Sequence, residues 1–170
     1  MEGGRRRFLK WVTAIGSLVS GALVGWPAIR AFLSPAFRAP PTTKWIKVGE
    51  ASQIETGVPV RFDFSEAISD AWVETTALRG VWVYTEDGEA FTVYNGQCPH
   101  LACSYAFEAD RKIFLCPCHH GMFDPKTGTV ISGPPPRPLD TLESKVEDDG
   151  YLYVAYRTFL AGIPEKVAVG

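Results

Sequence analysis

Every cysteine and every histidine of this 170-residue chain lies between residues 98 and 120. They form two boxes, CPHLAC at 98–103 and CPCHHG at 116–121. Cys98 and His100 stand two residues apart in the first box, and Cys116 and His119 three apart in the second. At that spacing, a thiol and an imidazole from each box can converge on metal from two facing loops. Soft thiolates and imidazoles favour iron–sulfur or zinc over calcium or magnesium. A structural zinc site also uses Cys and His in pairs, so spacing alone leaves both open.

Two loops that face each other need a framework. From Trp45 onward, short runs rich in Val, Trp, Tyr and Phe alternate with turn residues: 61–64, 81–84, 91–94 and 151–155. Glu86-Asp87-Gly88 and Asp148-Asp149-Gly150 separate such runs, and Asp-Gly supplies the positive φ of tight hairpin turns. The pattern predicts antiparallel β structure. The two boxes interrupt it as loops, with a short strand at Lys112 to Leu115 between them, so the metal region reads as a small insert.

The N-terminal part is different. RRRFLK at 5–10 precedes Trp11 to Ile29, 19 residues without a charge. As a helix that run spans roughly 28 Å, close to a ~30 Å hydrocarbon core. Paired arginines before Phe-Leu-Lys and an apolar run resemble the twin-arginine export signal, an address read by a receptor. An ordinary anchor whose basic flank follows the positive-inside rule is the plainer reading, and both leave the C-terminus outside. Pro27, Arg30 and Phe32 stand where a small-residue cleavage site would be, so the segment is expected to stay as an anchor. Ser17, Gly21 and Gly25 make a stripe spaced by four that would admit a neighbouring transmembrane helix. Residues 34–43 carry three prolines and read as an extended tether or spacer. The expected organisation is a cytoplasmic segment at 1–10, an anchor at 11–33, a linker at 34–44 and a head at 45–170.

Charge narrows the partners. Up to Lys44 there are seven Lys or Arg and one acid; the totals of 17 and 19 leave 10 bases and 18 acids beyond it, a head near −8. Nucleic acid needs clustered basic residues and is disfavoured, whereas a basic protein would fit.

CxHxxC, CPCHxG and the run Gly133-Pro134-Pro135-Pro136 together resemble the Rieske proteins of quinol:cytochrome c oxidoreductases. Within that family the chain resembles menaquinol:cytochrome c reductase iron–sulfur subunits; RFDF at 61–64 and PLD at 138–140 are similar too. The resemblance implies an all-β antiparallel sandwich with a cluster-binding insert at about 96–137, behind one transmembrane helix. It implies one [2Fe-2S] cluster, with Cys98 and Cys116 on the inner iron and His100 and His119 on the outer. Cys103 and Cys118 would form a disulfide between the loops; four cysteines allow three pairings, which the residues alone do not resolve. Oxygenase-type Rieske domains usually lack those two cysteines. His120 departs from the family, where glycine is common, and reads as a bystander. Gly133, Pro134 and Pro135 would cover the cluster.

The resemblance further implies one electron and one proton taken from a quinol, the proton by His119. It implies a cytochrome b partner in the membrane, a cytochrome c-type acceptor and a head on the outer side of a prokaryotic cell membrane. In ubiquinol-oxidising relatives a serine and a tyrosine, two and four residues after the second histidine ligand, donate hydrogen bonds to sulfur. Gly121 and Phe123 stand there, which predicts a low potential and menaquinol as donor. Two other readings are the small Rieske subunit of an arsenite oxidase and a zinc-stabilised interaction module. Residues 156–170 carry no recognisable chemistry.

Overall fold

The computed structural model describes residues 2–34, 44–70 and 73–169. They fall into two compact units, an N-terminal helix and a β head. Helix α1 runs Glu2–Leu33 with Pro27 inside it. It is long and apolar enough to cross a membrane. The basic segment and the apolar run, expected as separate pieces, are one helix. Residues 35–43 of the expected linker lie outside the described residues, and its last residue, Lys44, already belongs to the first strand of the head.

The head is antiparallel throughout the described pairings. Strands β1 (Lys44–Glu50), β10 (Ser144–Val146) and β11 (Tyr151–Tyr156) form one sheet in the order β1-β11-β10. A second sheet, β2-β3-β4-β9, uses Val60–Asp70, Val73–Thr85, Phe91–Asn95 and Thr141–Leu142. The third, β5-β6-β7-β8, uses Ala106–Glu108, Ile113–Cys116, Gly121–Phe123 and Val130–Ser132. β12 (Thr158–Phe159) and β13 (Ala168–Val169) make a final pair.

The second sheet is the middle layer, and period-two alternation shows why. Successive side chains of a strand point to opposite faces. Val81, Val83 and Val93 join Leu152, Val154 and Tyr156 in an aliphatic core against the first sheet. Their neighbours Trp82 and Tyr94 point the other way and join Tyr105, Phe114, Phe123 and Leu139 in an aromatic core against the third. Cys98 and Cys116 belong to that aromatic core. The metal boxes are thus fastened to a sheet buried on both sides.

Two elements differ from the sequence expectation. The runs at 61–64 and 81–84 are ends of one long hairpin, paired from Val60↔Val83 to Asp70↔Val73. The second box is also no free loop: Cys116 ends β6, Gly121 begins β7, and the two are paired. The short strand between the boxes starts at Ile113, because Lys112 takes φ 52° in the preceding turn.

Candidate metal centre

The first box closes on itself. The Cys98 N–H donates to the Cys103 carbonyl at 2.8 Å and the Ala102 N–H to the Cys98 carbonyl at 2.9 Å. Ala102 takes φ 58° to complete the curl. The second box, a turn between paired strands, presents Pro117, Cys118, His119 and His120 outward, all exposed. His120 has φ 55°, a left-handed conformation in which glycine is at ease and histidine is one of the tolerated exceptions. That backbone conformation explains why glycine is common at this position and why histidine is tolerated there.

A disulfide joins the boxes, Cys103 to Cys118, with Cα atoms 6.6 Å apart. The sulfurs of Cys103, Cys116 and Cys118 lie within 4.8 Å of one another, but the disulfide removes two of them as metal ligands. Cys98 and Cys116 remain as thiols, 2% and 3% exposed. The His100 and His119 rings meet edge to face, centroids 4.8 Å apart. His100 is partly covered and His119 exposed.

Electrostatics fit this donor set to a cationic iron centre. Burial pushes the Cys98 thiol up to about 11, with the Cys116 sulfur beside it adding to the rise. Against that, the nearby backbone N–H groups of His100 and Leu101 favour a thiolate. Two adjoining buried thiols, one already facing N–H donors, suit a metal that displaces their protons. Two paired imidazoles on the outer side complete a two-thiolate, two-imidazole set, the one a [2Fe-2S] group of mixed ligation requires.

The proline run presses on the second box. A Cβ on Gly133, which has φ 97°, would lie 2.8 Å from the Gly121 Cα and 2.9 Å from the His120 carbonyl oxygen. A Cβ on Gly121 would lie 2.7 Å from the Pro135 ring. Pro135 is buried by this contact, whereas Pro134 remains exposed. Phe123 is fully buried, 6.0 Å from the Tyr105 ring. The Tyr105 hydroxyl donates to the Asn95 carbonyl at 2.9 Å, and its burial raises its pKa well above the usual phenol value.

Sequence reasoning gave no structural role to Arg137, Asp140 or the C-terminal segment. Arg137 and Asp140 form a buried ion pair at 2.8 Å immediately after the proline run. A charged pair amid Pro and Leu at 134–140 was the available signal.

Comparison with known proteins agrees with this geometry. Residues 44–143 match the profile of the Rieske [2Fe-2S] domain. The menaquinol:cytochrome c reductase iron–sulfur subunit of Geobacillus thermodenitrificans is 34% identical over 88% of this chain and 89% of its own. The cytochrome b6-f complex iron–sulfur subunit 1 of Trichormus variabilis is 32% identical over 86% and 81%. Among solved structures, the soluble domain of Rieske protein II from Sulfolobus acidocaldarius shares the fold, with a TM-score of 0.51 at 17% identity over 73% and 84%. Two loops locked by a disulfide, two buried thiols, two outward imidazoles and matches along most of the length lead to one assignment: the chain belongs to the Rieske [2Fe-2S] domain family.

Proposed function

We propose that this chain is the electron-transfer subunit of a membrane-bound menaquinol:cytochrome c oxidoreductase. The observation that carries the reading is the pairing of two buried thiols with two outward imidazoles behind one inter-loop disulfide. Cys98 and Cys116 would hold one iron of the group, and His100 and His119 the other. The bound [2Fe-2S] group supplies a one-electron acceptor, with Rieske potentials spanning roughly −150 to +300 mV.

The residues do the rest. His119, exposed where His100 is partly covered, offers its distal nitrogen to the quinol hydroxyl and takes the proton as the electron leaves the quinol. Buried Phe123 and Pro135 keep water from the sulfur side of the second box. The second electron leaves through a cytochrome b subunit, and a cytochrome c-type protein takes the first from the head. The acidic surplus of the head suits a basic acceptor. Gly121 and Phe123 bring no hydroxyl to the sulfurs, which favours a low potential and hence menaquinol. The basic flank of α1 stays in the cytoplasm and the head lies outside.

Similarity along most of the length of quinol-complex subunits supports this over the arsenite oxidase reading. Redox-titrated EPR of the purified chain, followed by reduction with menaquinol and ubiquinol analogues, tests it. A mixed-ligand iron signal reduced faster by the menaquinol analogue is expected, and His119→Ala should abolish quinol oxidation. A colourless protein that binds only zinc, or normal turnover in His119→Ala, would contradict it.

A further inference from the structure

The segment after β11 carries no motif, yet it is tied to both the proline run and the first box. Arg137 is the hub, only 7% exposed beside Asp140 at 4%. Its Nε and one terminal nitrogen donate to the two Asp140 carboxylate oxygens at 2.9 and 2.8 Å. Its terminal nitrogens also donate to the Leu160 carbonyl at 2.7 Å and the Ile163 carbonyl at 2.5 Å. A guanidinium held in a fork by a buried carboxylate is a rigid donor, and here it grips two carbonyls of one turn. Lys166 adds a tie to the Thr141 carbonyl at 2.7 Å, and the Leu160 N–H closes the turn on the Val167 carbonyl at 2.9 Å.

The turn so held contains Gly162, at φ 81°, and its N–H donates to the Pro99 carbonyl at 2.9 Å. Pro99 lies between Cys98 and His100. Its C=O and the His100 N–H are the two ends of one peptide group, next in the chain to the buried Cys98. Hydrogen bonds in series polarise one another. A donor on the carbonyl oxygen therefore makes the N–H at the other end a stronger donor. Sulfur carries more negative charge when the centre is reduced, so a stronger N–H donor beside it favours the reduced form.

We propose that residues 158–169 are a clasp that tunes the iron centre: Arg137 fixes the turn whose Gly162 N–H, through the Pro99–His100 peptide, strengthens donation to Cys98 and raises the potential. This rests on Cys98 being an iron ligand, as proposed above. Arg137 is a positioning residue, acting through Leu160 and Ile163.

Two variants of the full chain in detergent test it. One ends after Arg157, which leaves the Arg137–Asp140 pair intact. The other carries Arg137→Met with Asp140→Leu, so no buried charge is left alone. Both should keep the iron signal, titrate at a lower midpoint potential than the parent and exchange backbone hydrogens of residues 98–103 faster by mass spectrometry. Parental potential and exchange in the shortened chain would overturn the clasp. If shortening abolishes iron binding, the double substitution decides by the same readouts, and unchanged values there overturn it. Cys98→Ser is measured beside them. Retention of the parental iron signal would defeat the ligand assignment, whereas the exchange comparison reports on the mechanical tie without any metal.

Discussion

At the scale of single residues, the site depends on side chains that are missing as much as on those present. Gly121 and Gly133 leave the room into which Pro135 and the His120–Gly121 backbone pack. Their need was readable in part, since the proline run invited a close contact, but the partner lies twelve residues upstream and only the fold brings it near. Gly133→Ala adds a Cβ at 2.8 Å from a backbone atom and at a left-handed φ, so it should cost about 1–3 kcal/mol, measured by chemical unfolding. The same crowding governs any attempt to raise the potential. Gly121→Ser would drive its Cβ into the Pro135 ring and move the proline run, which confounds the hydroxyl effect. Phe123→Tyr adds only the hydroxyl, and redox titration should show a higher midpoint potential; no rise would remove the hydroxyl argument for menaquinol. Asp124 makes a further test. One of its oxygens accepts the Thr127 and Lys126 N–H groups at 2.8 and 3.0 Å and the Thr127 hydroxyl at 2.9 Å, shaping the turn between β7 and β8. Those bonds, led by the Thr127 N–H, hold its carboxyl below the ordinary value of 3.8. A depressed folded pKa gives stability that is complete above the unfolded value and is lost as pH falls through the folded one. Asp124→Ala should cost about 1–2 kcal/mol at neutral pH by urea unfolding, and the gap between variant and parent should narrow as pH drops below about 4.

Elements carry the next level of constraint. The disulfide links the β4–β5 connection, which carries Cys103, to the β6–β7 turn, which carries Cys118. Its two cysteines are 15 residues apart, and closing such a loop in the unfolded chain is worth about 3 kcal/mol. Replacing both Cys103 and Cys118 by Ser should lower chemical stability by about that much, and loss of iron should precede unfolding because both boxes loosen first. Equal midpoints for variant and parent in denaturant would show that the hydrogen bonds within the first box suffice. The strands were legible where apolar alternation was strong: Val81-Trp82-Val83 and Tyr151 to Ala155 lie in strands as read. The hairpin arm beyond Phe64 was not, because Ser65, Glu66, Ala67 and Thr75, Thr76 alternate polar with small residues and are held by strand pairing and by the Glu66–Arg79 ion pair. The C-terminal clasp was illegible for a different reason. Its contacts run through backbone carbonyls and one glycine N–H, which no side-chain pattern announces.

For the whole molecule, the proposed placement of the head outside raises the question of how an iron-carrying domain would cross a membrane. Helix α1 holds the basic residues Arg5, Arg6, Arg7 and Lys10 ahead of its apolar run. Positive charge alone would keep that end in the cytoplasm, and lysine serves as well as arginine for this purpose. A receptor-read address distinguishes the two. The disulfide adds a compartmental requirement, because such bonds persist in oxidising surroundings, whereas iron and sulfide are supplied in reducing ones. Export after the iron centre is built and before the disulfide forms satisfies both. Replacing Arg5, Arg6 and Arg7 together by Lys conserves charge while erasing the paired arginines. If the address is used, protease added to intact spheroplasts will spare the head, and the retained protein will carry iron with Cys103 and Cys118 reduced by thiol labelling. If basic charge alone orients α1, the head of the lysine variant will still be cut from outside, and its cysteines will still be oxidised.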